Sequence, residues 1–223
     1  MTELLPDECR VLGTLIEKAL TTPGQYPLSL NSLVTGVNQK NNRDPVVEID
    51  EDRALRAVDG LRAKGFARDV SFTGSRVEKY RHTAGEALEV RAPELALLAE
   101  LLLRGPQTVG ELRGRAGRMH PFDSLEVVES VLKVLSERTA PQFPLVRELP
   151  PAPGSRAPRW MQLLCEDLHP VSMVASPLAA PVRVEAGPSA MDRVTALEAR
   201  MASLEEKLEA QSAVIAELKA LLA

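Results

Sequence analysis

Aromatic side chains are scarce: four Phe, two Tyr and one Trp in 223 residues. Leu, Val and Ala must therefore build most of the interior, which favours helices packed on helices with at most a small sheet. Only two cysteines are present, Cys9 and Cys165, with no Cys-x-x-Cys pair and no clustering with His82, His120 or His169. This argues against a disulfide framework and offers no zinc-ligand spacing, so no metal and no cofactor is expected. No apolar run approaches the length of a membrane span. The opening MTELLPDECR has neither the basic nor the apolar region of a signal peptide. The expectation is a cytoplasmic chain with no membrane partner. Catalytic signatures are missing too: there is no glycine-rich phosphate loop, no Gly-x-Ser-x-Gly elbow and no carboxylate pair singled out by spacing. An enzyme is not expected.

An excess of positive charge is also missing. Residues 1–88 hold 12 Lys and Arg against 13 Asp and Glu, residues 89–168 hold 10 against 11, and residues 169–223 hold 5 against 7. The net charge is −4 and no segment is basic. Any nucleic-acid reading must rest on local patches.

What the chain does contain is the same unit twice. After Pro6 and Asp7, the residues Val11, Leu12, Leu15, Ile16, Ala19 and Leu20 recur at helical spacing, and Thr22-Pro23-Gly24 stops them. Ser29 opens a short second helix to about Val37, and Asp50 caps a third that ends at Lys64-Gly65. Two strands follow around Thr73-Gly74-Ser75. The second unit repeats this order. A helix over 93–104 is broken by Gly105-Pro106. Thr108 and Glu111 have capping-box spacing at the next. A third helix spans 123–138, and strands follow over 143–149 and 159–164. Helix, short helix, helix, hairpin is the order of a winged helix-turn-helix domain. The expected fold is mainly α with small β-hairpins: winged-helix domains over 1–88 and 89–168.

Residues 169–190 are rich in Pro, Ala, Ser and Val without helical period and read as a flexible linker. From 191 a heptad begins. Val194, Met201, Leu208, Ile215 and Leu222 take one core position, and Leu197, Leu204, Gln211 and Leu218 take the other. A C-terminal coiled-coil helix over 191–223 and a homodimer follow from this pattern. Parallel pairing sets Arg193 against Glu198 and Arg200 against Glu205, both attractive.

In a winged helix the third helix usually enters the major groove. On a helical wheel, Ala54, Leu55, Val58 and Leu61 fall on one side of residues 51–65. Arg53, Arg56, Ala57, Gly60 and Lys64 fall on the other. The hairpin adds Arg68, Arg76, Lys79 and Arg81. The expected contacts with double-stranded DNA are Arg53, Arg56 and Lys64 toward the groove, and Lys40, Arg43 and Arg76 on phosphates. The second unit's third helix places Val127, Val128, Val131, Leu132 and Leu135 inward and Glu126, Glu129, Lys133 and Glu137 outward, so it suits a protein partner better. The leading expectation is a regulatory DNA-binding role for the first domain; the alternative is a protein–protein adaptor without DNA affinity.

Between the second and third helices of the first unit lies N-Q-K-N-N-R-D-P-V. Asn38, Asn41 and Asn42 tolerate left-handed backbone and bond their own chain, and Pro45 keeps Asp44 out of the helical region. Two readings stand for this loop, which includes Asn38, Gln39, Asn41, Asn42, Asp44 and Pro45: a self-bonded turn that orients the third helix, or a polar surface on which Asn38, Lys40, Asn41 and Arg43 face DNA phosphates, base edges or an acidic partner. The run P-L-S-L-N-S-L-V-T-G-V-N-Q-K-N-N-R-D-P-V, the segment E-L-R-G-R-A-G-R-M-H-P-F and the segment P-R-W-M-Q-L-L resemble the YceH-like family of uncharacterised bacterial proteins. The resemblance covers about residues 3–168. It implies tandem winged-helix domains and no catalytic residue or cofactor.

Overall fold

A computed structural model describes residues 3–71, 77–152, 154–165 and 168–169. The chain divides into two compact units, Met1–Val171 and Ser172–Ala223. The linker and heptad expectations, with Arg76 and the first hairpin tip, lie outside the described residues.

The first unit is mainly helical with two small antiparallel sheets. Helix α1 (Pro6–Thr21) begins with Pro at its first position, where the missing N–H costs nothing. A single 3-10 turn (Pro23–Gln25) and the two-residue strand β1 (Leu28–Ser29) lead into α2 (Leu30–Val37). Ser29 caps α2 by accepting the Ser32 N–H, and Asp50 caps α3 (Glu51–Ala63) by accepting the Arg53 N–H at 2.7 Å. Strands β2 (Ala67–Val70) and β3 (Lys79–His82) follow, then the single turn of helix α4 (Ala84–Ala87). The order recurs in α5 (Ala92–Arg104), α6 (Val109–Ala116), α7 (Leu125–Ser136), β4 (Val146–Leu149) and β5 (Arg159–Gln162). Thr108 and Glu111 close the capping box at α6. β3 lies between β1 and β2, with Leu28 opposite Tyr80 and Asp69 opposite Tyr80 on the other side.

The two repeats share one interior. α1 packs most extensively on α5, and Gly13 permits the approach: a Cβ there would lie 3.0 Å from Leu103 Cγ and 3.1 Å from Leu102 Cβ. Leu12, Leu15 and Ile16 join Leu97, Leu98, Leu101 and Leu102 in a single buried cluster. The two cysteines, separated by most of the sequence, are both free and buried. The Leu4 N–H donates to Leu164 O at 2.9 Å, and the Cys9 and Cys165 thiols meet within hydrogen-bonding range. Burial first, and the neighbouring thiol second, push the Cys9 thiol up and disfavour its thiolate.

His82 ends β3, and its N–H donates to Tyr26 Oη at 2.6 Å. Burial, helped by the Arg81 charge, holds its imidazole down at about 4 instead of 6.5. The unfolded chain therefore takes up this proton first as pH falls. The contribution of neutral His82 is complete above about pH 6.5 and is lost toward pH 4. Urea titrations at pH 7 and pH 5 should differ by about 2 kcal/mol from this group, and His82→Gln should remove that difference.

Candidate functional site

The NQKNNRDPV stretch is a structural lock between the repeats. Asn38 bonds its own chain twice: its Nδ2 donates to Ile49 O at 2.8 Å and its Oδ1 accepts the Ile49 N–H at 2.9 Å. Asn42 stands at φ 59°, the left-handed region that asparagine tolerates. The Asp44 N–H donates to Leu103 O, and Arg104 reaches Asn42 Oδ1, both at 2.8 Å. Arg10 spans the same seam, donating to Leu103 O and Pro45 O. Lys40 and Asn41 remain exposed, and Gln39 accepts from Lys18 Nζ at 3.2 Å.

Arg43 does not face phosphates. Its side chain is fully buried, with Nη2 donating to Glu17 Oε2 at 2.6 Å and to Gly36 O at 2.8 Å. The cause is the buried Glu17 carboxylate on α1, which must be paired. Arg118, from the equivalent loop of the second repeat, donates to Glu17 Oε1 and to Glu100 Oε2 on α5. Each repeat thus sends an arginine from the loop after its second helix to a buried glutamate of its first helix, and Arg118 also crosses between repeats. Burial pushes Glu17 up, but the two guanidinium groups outweigh it and the net direction is down. For Glu100 burial prevails over Arg118 and Arg104, and the direction is up. Sequence reasoning missed this cluster. Its signals were a Glu inside each apolar run, Leu15-Ile16-Glu17 and Ala99-Glu100-Leu101, and an Arg shortly before the loop proline in both repeats.

The wheel expectation for α3 needs rotating. Ala54, Ala57, Val58 and Leu61 are buried, while Leu55 is exposed. Ala57 and Gly60 are small and accept the start of α1, so this face turns inward. A Cβ on Gly60 would lie 2.1 Å from Glu8 Oε1. Two of the expected groove cations are thereby engaged by α1. Arg53 binds Asp7 through Nη2 at 2.9 Å and Nε at 3.1 Å, and Lys64 binds Glu8 Oε2 at 2.6 Å. Arg56 is exposed and has no ion-pair partner among the described residues. In the second repeat Val127 also departs from the inward expectation, whereas Val131 packs against the core as expected. Val127 and Val134 are 42% and 60% exposed and lie seven residues apart, two turns along the same face of α7.

Between the start of α1 and α3 lies a cleft of about 550 Å³, lined by Leu5, Pro6, Asp7, Glu8, Arg53, Arg56 and Ala57. Among the described residues no group of His, Cys, Asp and Glu is placed to hold a metal ion, and no helix is long and apolar enough to cross a membrane.

A protein-family model described as "Protein of unknown function, DUF480" matches residues 4–155. The chain is 51% identical over 207 residues to the UPF0502 protein of Geobacter sulfurreducens, covering 92% of this chain and 91% of that one. It is 58% identical over 156 residues to a UPF0502 protein of Citrifermentans bemidjiense, covering 70% and 71%. With that of Hahella chejuensis it shares 44% over 207 residues, covering 91% and 88%. The family-model match takes in the first repeat, the lock and the second repeat up to the turn before β5, and the chain belongs to the DUF480 family, whose curated relatives carry the name UPF0502.

Proposed function

We propose that this chain is a tandem winged-helix protein of the YceH-like group that works as a protein–protein adaptor. One observation carries the reading: the third helix of the second repeat presents aliphatic side chains to solvent where a DNA reader would present cations. Val127 and Val134 stand outward on α7, and Leu55 is exposed on α3 beside Arg53, Arg56 and Arg62. Arg53 and Lys64 are matched by acids of α1, and Arg43 is interior. Aliphatic patches edged by charge are what protein interfaces use. Paired Val127→Asp and Val134→Asp substitutions test this. Both positions are exposed, so stability should stay within about 0.5 kcal/mol, while binding partners recovered by the native chain should be lost. Recovery of the same partners by the variant would contradict an adaptor role for α7.

Regulatory DNA binding through the first domain is the second reading. It is favoured by Lys40, Arg56 and Arg68, which are exposed and without ion-pair partners among the described residues. Phosphate contacts would make affinity fall steeply with salt.

The heptad over 191–223 supports a parallel homodimer. Leu204→Asp together with Leu208→Asp puts charge into its core and should convert the dimer to a monomer by light scattering. An unchanged mass in the variant would remove the heptad from dimerisation.

A further inference from the structure

We infer that the cleft between the start of α1 and α3 binds an acidic, aliphatic peptide segment of a partner protein, an assignment that rests on the adaptor reading. The volume of about 550 Å³ lies in the range of ligand-binding clefts. Its wall is largely apolar: Leu5, Pro6 and Ala57 contribute no polar side-chain atom, and Leu5 is 63% exposed at the edge. The charges in the wall are already matched with one exception. Asp7 is held by Arg53 and Glu8 by Lys64, leaving the Arg56 guanidinium with no partner among the described residues. An occupant with an aliphatic side chain fills the apolar wall and supplies the missing carboxylate, which guanidinium binds through a planar, charge-assisted fork. The cleft opens to solvent, which suits a chain passing through it rather than an enclosed small molecule.

The test uses the full chain, ¹⁵N-labelled, titrated with a short capped peptide of alternating Leu and Glu. Matched peptides carry Gln or Lys in place of Glu, and hexanoate serves as a small-molecule control. Amide shifts confined to Leu5–Glu8 and Arg53–Ala57, seen with the Leu/Glu peptide and at least about tenfold weaker with the Gln peptide, are expected. Arg56→Gln should weaken the Leu/Glu peptide by a similar factor, and Leu5→Ser should weaken both the Glu and Gln peptides. No shifts in the cleft, equal response to the Lys peptide, insensitivity to Arg56→Gln, or tighter binding of hexanoate would each overturn the assignment. A silent cleft combined with partner capture that depends on Val127 and Val134 would remove this inference and leave the adaptor reading standing.

Discussion

Arg43→Ala is expected to destabilise the chain by about 3–5 kcal/mol, measured by urea denaturation at neutral pH. Glu17 is 1% exposed and would keep only Arg118 as a strong partner. The substitution also strips Gly36 O and Asn42 O of the guanidinium that they accept from. An intact buried ion pair contributes little net stability, because its desolvation offsets the attraction. Removing one member leaves the other charge buried and underpaired, and that is costly. Since natural domains are stable by only about 5–15 kcal/mol, the loss should be visible as a large fall in the denaturation midpoint. Arg43→Lys should recover only part of it, because an ammonium cannot reproduce the two-pronged contact with Glu17. A solvent-exposed phosphate-binding arginine would instead change stability by less than about 0.5 kcal/mol. The experiment therefore separates a lock from a ligand contact at this motif.

Leu102→Ala should cost about 2–5 kcal/mol, and the variant should still unfold in one transition. Leu102 is wholly buried on α5 and faces Gly13 of α1 where the two helices pack together. The cavity would open in a core that both repeats share, so both should lose stability together. Probes placed in each repeat, with Trp160 reporting on the second, should give coincident curves. Two separated transitions would mean that the repeats are stabilised independently. Gly13→Val attacks the same seam from the other side. The added methyls have no space against Leu102 and Leu103, at an expected cost of about 1–3 kcal/mol.

The order of elements was legible because it is written locally. Ser29, Asp50 and Thr108 cap the helices expected of them, and the apolar spacing of α1 and α5 marks their buried faces. Strand β1 was missed because two residues carry no periodicity, and its only support is a distant pairing with β3. The rotation of α3 was missed because a wheel drawn from apolar residues alone gives weight to Leu55 and none to Ala57 and Gly60. Small residues mark where another helix comes close, and here α1 takes that face. In the NQKNNRDPV stretch the turn-building asparagines were readable. Arg43 was misjudged because its partner Glu17 lies 26 residues away. Nothing local announces that a charged residue in a polar run will be interior. The same distance effect hid the meeting of Cys9 with Cys165.

Three of the six cations expected to meet DNA, Arg43, Arg53 and Lys64, are engaged within the fold, and the exposed aliphatic face of α7 suits a protein partner. The most direct measurement is fluorescence anisotropy of a labelled random-sequence DNA duplex titrated with the full chain at about 50 and 200 mM salt. The account predicts no binding at micromolar protein in either buffer. Tight binding at low salt that weakens by orders of magnitude at high salt would contradict it and return Lys40, Arg56 and Arg68 to the centre of the function.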